Sequence, residues 1–138
     1  MTVLVAYDGS EPAREAVAYA LDEHSDDEVV LLRVVELAGG ATDAGLELVR
    51  ESLRDRREAV SESTADELDD LLDETDVETN LTTVVGEPEK EIVSYADEHD
   101  VDHIVVGSYG RGGVSRVLLG SVAETVARRS AVPVTIVR

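Results

Sequence analysis

Five of the ten glycines in this 138-residue chain, Gly107, Gly110, Gly112, Gly113 and Gly120, fall within fourteen residues, and Ser121 follows the last of them. The spacing Gly107-x2-Gly110-x9-Gly120-Ser121 suits the holding of an anion. A glycine at 107, after the strand-like HIVV, lets a ligand approach the backbone with no Cβ between them. Gly110, Gly112 and Gly113 permit positive φ, so successive amides can turn inward as an anion nest. Gly120 and Ser121 open a helical pattern whose first N–H groups and partial positive charge favour phosphate. Ser121 adds a hydroxyl donor. The plainer alternative is a surface loop joining a strand to a helix.

Other phosphate and catalytic motifs fail when tested. A Walker A loop needs Gly-Lys-Ser/Thr, and the sole lysine is Lys90. The fingerprint G-x-G-x-x-G should follow the first strand, which instead runs into Tyr7-Asp8-Gly9-Ser10. Gly110-Arg111-Gly112 meets Ser115 where a third glycine is required. There is no G-x-S-x-G elbow and no Ser-His-Asp arrangement. His24 and His99 fall at helix ends, where the dipole favours them, and His103 opens a strand, so none reads as a metal ligand. A grip on phosphate without a base to activate water is the signature of a binding module, with slow hydrolysis at most.

The charge supports an anion site in one place only. Acids outnumber bases 31 to 12, for a formal net charge of −19. Residues 1–100 hold 29 acids and 7 bases, a net of −22, whereas residues 101–138 hold 2 acids and 5 bases, a net of +3. The overall field argues against general affinity for nucleic acid or anionic membranes. The absence of cysteine excludes disulfides, thiolate metal sites and cysteine nucleophiles. No apolar run approaches the roughly 20 residues of a membrane span. Met1 leads straight into TVLVAY with no basic n-region, so the expected location is the cytoplasm. One lysine against eleven arginines, on a chain this acidic, resembles proteins adapted to a salt-saturated cytoplasm, where screening tolerates self-repulsion.

The elements that must carry this loop are strands alternating with helices, the pattern of a parallel α/β sheet. Thr2–Tyr7 reads as the first strand. Ser10 can cap a helix with Pro12 in its first turn. Glu28–Val35 is apolar enough for a strand buried on both faces. Glu36–Gly45 reads as a loop, followed by one long amphipathic helix over Leu46–Glu74. Val77–Val85, less apolar, is a strand near an edge. Pro88 opens a third helix, His103–Gly107 is a fourth strand, Ser121–Arg129 a fourth helix and Pro133–Val137 a fifth strand. Length and the lack of a linker or repeat point to one domain over 1–138.

The start VLVAYDGS, the middle LLRVVE, the run GEPEKEIVSYA and the closing IVVGSYGRGGVSRVLLGSVAETVARRSAVPVTIVR together resemble the universal stress protein family, over the whole chain. The Gly107/Gly110/Gly120-Ser121 pattern is similar to that of its ATP-binding branch. The resemblance implies a doubly wound, five-stranded parallel sheet of order 3-2-1-4-5 with four flanking helices. It implies an ATP-binding stress or regulatory protein, with Mg or Mn held mainly by the phosphates plus Asp8 or water. Ala6 and Asp8 would then lie beside the adenosine, Asp8 accepting from a ribose hydroxyl or the adenine amine, and Val34 would wall the adenine. Val106, Gly107, Ser108, Tyr109 and Gly110, with Gly120, Ser121 and Val122, would wrap the ribose and phosphates. Arg111 and Gly112 complete the candidate set, and Arg111 and Arg116 either neutralise phosphate or face solvent. Arg33 and Tyr109 depart from the family, in which histidine is common at both places. A homodimer through the Pro133–Val137 edge and an unidentified regulatory protein partner are also implied. The alternatives are a slow ATPase or autophosphorylating enzyme, and an interaction domain binding AMP, flavin or nothing.

Overall fold

The computed structural model describes residues 1–36, 43–108 and 119–138, with 43–53 described by backbone alone. In chain order the elements are β1 (Thr2–Tyr7), α1 (Glu11–Glu23), β2 (Glu28–Val35), α2 (Asp43–Glu67), α3 (Asp69–Asp73), β3 (Thr79–Val85), α4 (Pro88–Glu98), β4 (His103–Gly107), α5 (Ser121–Arg129) and β5 (Val134–Val137). The strands form one parallel sheet in the order β3-β2-β1-β4-β5, as expected. β3 and β5, the two most polar or shortest strands, stand at the edges.

Strand alternation sorts the core into two layers. Val3, Val5 and Tyr7 of β1 face α1 and Leu68, together with Val29, Leu31 and Val105. Leu4 of β1, with Val30, Leu32, Ile104 and Val106, faces Ile92 and Ala96 of α4 and Ala123 and Val126 of α5. The central strands are therefore buried on both faces, which the unbroken apolar runs of β1 and β2 require.

The helix count differs from the four expected: five helices are present among the described residues, because the segment read as one helix over 46–74 is two, α2 and α3. Arg14 of α1 donates from Nη1 to the carbonyl oxygen of Glu67 at 2.7 Å. A side chain bonded to that carbonyl interrupts the helical ladder there, a recognised cause of a kink. Leu68, fully buried, then turns the chain with φ −102° and ψ 3°. The remaining boundaries differ by one or two residues: β3 begins at Thr79 and β5 at Val134.

At the amino ends of the strands, where β4 begins, His24 and His103 meet. His24 ends α1, its backbone N–H donating to Ala20 O at 2.9 Å, and its Nδ1 lies 3.1 Å from Asp27 Oδ2. His103 Nε2 lies 2.6 Å from Thr135 Oγ1, and the two imidazole centroids are 5.2 Å apart. Burial, and secondarily the neighbouring His24, push His103 below its ordinary value of 6.5. As pH falls, the unfolded chain takes up this proton before the folded one does, so stability is full above about 6.5 and lost as pH drops through the folded value. The melting temperature should therefore fall on acidification from neutral, and His103→Gln, which keeps a partner for Thr135, should flatten that slope. Equal slopes for the two proteins in a calorimetric pH series would contradict the assignment.

Candidate functional site

Ligands of open α/β sheets collect beyond the carboxyl ends of the strands, where the strand order reverses. Here the reversal falls between β1 and β4, and a cleft of about 530 Å³ opens there. Its floor is apolar: Ala6 of β1, Leu32 and Val34 of β2, Val106 of β4 and Ile92 of α4. One end is bordered by Gly107, Gly120, Ser121 and Val122. The other is bordered by Arg33 and Glu36, and by Arg56 and Val60 on successive turns of α2.

The turn after β1 is built by local chemistry. Asp8 Oδ1 accepts from the Ser10 N–H at 2.9 Å, an Asx turn, and Gly9 occupies φ +85°, which a side chain resists. Ser10 Oγ then accepts from the Ala13 N–H at 3.3 Å and caps α1. Asp8 is thereby presented to the cleft while remaining tied to the turn.

The opposite wall is built around α5. Gly120 is its N-cap, with φ −65° and ψ 158°, and among the described residues no side chain caps the helix. The Gly120 N–H donates to Ser108 O at 2.7 Å, and the Ser108 N–H donates to Val137 O at 2.9 Å. Ser108 is 3 % exposed and acts as the strut that brings the start of α5 to the end of β4. The first-turn amides of α5, capped by no described side chain, and the helix dipole face the Gly120 side of the cleft. This donor set fits a phosphate-bearing ligand.

Beneath α2 lies a polar cluster on the α1 face of the sheet. Tyr7 donates its hydroxyl to Glu67 Oε2 at 2.8 Å, and Arg33 Nη1 lies 3.8 Å from the same oxygen. The Arg33 guanidinium carbon sits 5.5 Å from the Tyr7 ring centroid. Burial, then the Glu67 hydrogen bond, push the Tyr7 hydroxyl up to about 12, so it remains a donor.

A search against family models matches residues 1–138 to the universal stress protein family. The chain belongs to that family. It is 31 % identical to a universal stress protein of Methanocaldococcus jannaschii, over 99 % of this chain and 81 % of that one. Among solved structures it is similar to a universal stress protein of Lactobacillus plantarum, with TM-score 0.85 and 25 % identity over 100 % of this chain and 97 % of that one. It is also similar to a universal stress protein crystallised in complex with cAMP, with TM-score 0.66 and 26 % identity over 100 % and 96 % of the two chains.

Eight of the thirteen residues singled out in the sequence border the cleft together: Ala6, Asp8, Val34, Val106, Gly107, Gly120, Ser121 and Val122. Ser108 does not; it is buried behind them. Tyr109, Gly110, Arg111 and Gly112 lie outside the described residues, as do Gly113 and Arg116. Gly107 borders the cleft, but the space its Cβ would take belongs to α1: that atom would stand 2.8 Å from the Pro12 carbonyl carbon and 2.9 Å from Pro12 Cβ. The missing side chain is needed for helix packing. Arg56, Val60, Glu36 and Pro88 were not anticipated at the site. One signal was present: four of the seven bases in residues 1–100, Arg50, Arg54, Arg56 and Arg57, crowd into eight positions.

Proposed function

We propose that this chain is an ATP-binding regulatory protein of the stress-response type, holding its nucleotide across the carboxyl edge of the sheet. The observation that carries this reading is the cleft at the β1/β4 reversal, bordered by a helix start that no side chain among the described residues caps. Val34 and Ala6 offer the apolar floor an adenine needs, and Asp8 is the acceptor for a ribose hydroxyl or the adenine amine. The first-turn amides of α5 and the Ser121 hydroxyl take phosphate oxygens, with the Gly110 loop completing the grip. A divalent ion, Mg or Mn, would be held mainly by those phosphates, plus Asp8 or water. The complex of a similar protein with cAMP supports the nucleotide class. The chain acts by occupancy, with hydrolysis slow at most, and pairs with a second copy through the β5 edge, whose four residues are all half-buried in the single chain.

The test is to denature protein purified without added nucleotide and identify what is released by chromatography and mass spectrometry. ATP or ADP near one per chain supports the reading. Protein that releases nothing and shows no thermal shift with ATP and magnesium contradicts it.

The same chain is built for concentrated salt. With a net charge of −19, self-repulsion weakens the fold until it is screened. The melting temperature should climb steeply between about 0.1 M and about 1 M KCl, as the screening length falls from about 10 Å to about 3 Å. A flat thermal profile over that range would mean the acidic surface is not a salt adaptation.

A further inference from the structure

α2 is anchored at one end and overhangs the cleft at the other. Over residues 54–63 no side chain is buried: Arg54 to Ala59 are exposed, and Val60 and Ser61 are half-buried. The fixed part comes next. Thr64 is fully buried, its hydroxyl donating to Val60 O at 2.7 Å, and Leu68 is fully buried behind it. Between them stands Glu67, with Tyr7 and Arg33 on its carboxylate and Arg14 on its carbonyl. Arg14 also pairs with Asp70 of α3 through Nη2. Three side chains from β1, α1 and β2 thus converge on one turn of α2, and two of them, Tyr7 and Arg33, border the cleft. Leu68 anchors this end in the apolar core, but polar groups also lie on the sheet beneath it. Arg33 Nη1 and Thr83 Oγ1, on cross-strand partners of β2 and β3, are buried with no hydrogen-bond partner among the described residues. Over the exposed run that precedes Thr64, the polar ties at Glu67 therefore help set the position of the helix.

We propose that Glu67 is the positioning residue that clamps α2 over the cleft, and that Arg56, carried about three turns up the same helix, is the cation this clamp presents to an anionic ligand. The inference rests on the nucleotide reading for the role of Arg56, and on the structure alone for the clamp. Among the described residues bordering the cleft, the cations are Arg33 and Arg56; Arg33 is largely buried over the Tyr7 ring, in an ion pair with Glu67 at 3.8 Å. Arg56 is the exposed one.

The first arm of the test needs no ligand. Amide hydrogen exchange over residues 54–66 should quicken about tenfold in Glu67→Ala, less in Glu67→Gln and in Tyr7→Phe, while β1 and β4 amides keep their protection. Glu67 is 43 % exposed on its side chain, so these variants should fold, and circular dichroism checks that they do. In the second arm, ATP and uncharged adenosine are titrated into wild type, Arg56→Gln, Glu67→Ala and the double variant. Arg56→Gln should weaken ATP about fivefold and leave adenosine unchanged; in the Glu67→Ala background it should add little, because the two act through one element. Unchanged exchange in Glu67→Ala, or fully additive losses, would overturn the clamp. Equal losses for ATP and adenosine in Arg56→Gln would overturn the charge role. A wild type that takes up neither ligand ends the nucleotide reading and the role of Arg56 with it, while the exchange arm still decides the clamp.

Discussion

Gly107→Val is expected to destabilise the protein by about 3 kcal/mol or more, the upper range for forcing extra atoms into a filled interior. For a chain of this size that is a fall of about 10 °C in melting temperature. The Cβ alone would stand 2.8 Å from the Pro12 carbonyl carbon and 2.9 Å from the Pro12 carbonyl oxygen. These are backbone atoms in the first turn of α1, a helix capped by Ser10 and buried along Ala13, Ala16, Val17 and Ala20. They cannot rotate aside as the end of a side chain would. β4 is a central strand, bonded to β1 and β5, so it cannot retreat either. Thermal and urea unfolding measure the effect. A melting temperature within a degree or two of wild type would mean that α1 does not sit as closely on β4 as the structure has it.

Gly120→Val should do the opposite, sparing the fold and removing the ligand. Gly120 has φ −65° and ψ 158°, values that valine adopts without strain. The stability penalty is that of a poor N-cap, about 1 kcal/mol. Two methyl groups beside the opening of α5, however, stand where a phosphate would approach the first-turn amides. Affinity for ATP should drop at least about tenfold, the loss of about 1.4 kcal/mol or more of binding energy. Adenosine, which makes no demand on the α5 amides, should lose less. Equal retention of ATP by Gly120→Val and wild type would remove phosphate from this end of the cleft.

The contrast between these two glycines shows what could be read from the residues and what could not. Both belong to one spacing, and both border the same cleft. Spacing places a glycine relative to a strand and a helix, yet it cannot say which neighbour lies against the missing side chain. At Gly107 that neighbour is Pro12, ninety-five positions away in the chain. The strand alternation and the two-sided burial of β1 and β2 follow from apolar runs that the chain itself displays. The sheet order came from the family resemblance. The break at Leu68 was hidden for the same reason as the Gly107 packing: the periodicity of 46–74 is continuous, and the group that interrupts it, Arg14, comes from α1. Arg33 stood out only as a departure from histidine, and its tie to Tyr7 and Glu67 depends on α2 crossing over β2 and β3. Arg56 and Val60 belong to the site because of that same crossing, which helical periodicity alone does not specify.

The central claim is that the cleft between β1 and β4 holds a nucleotide by its phosphates at the start of α5. Titration calorimetry with nucleotide-free protein and ATP plus magnesium, wild type beside Gly120→Val in the same high-salt buffer, tests it most directly. The account predicts saturable binding at one ATP per chain, weakened at least about tenfold by the substitution with the melting temperature nearly kept. Wild type that takes up none of ATP, ADP, AMP or cAMP, or a variant that binds ATP as tightly as wild type, would contradict it.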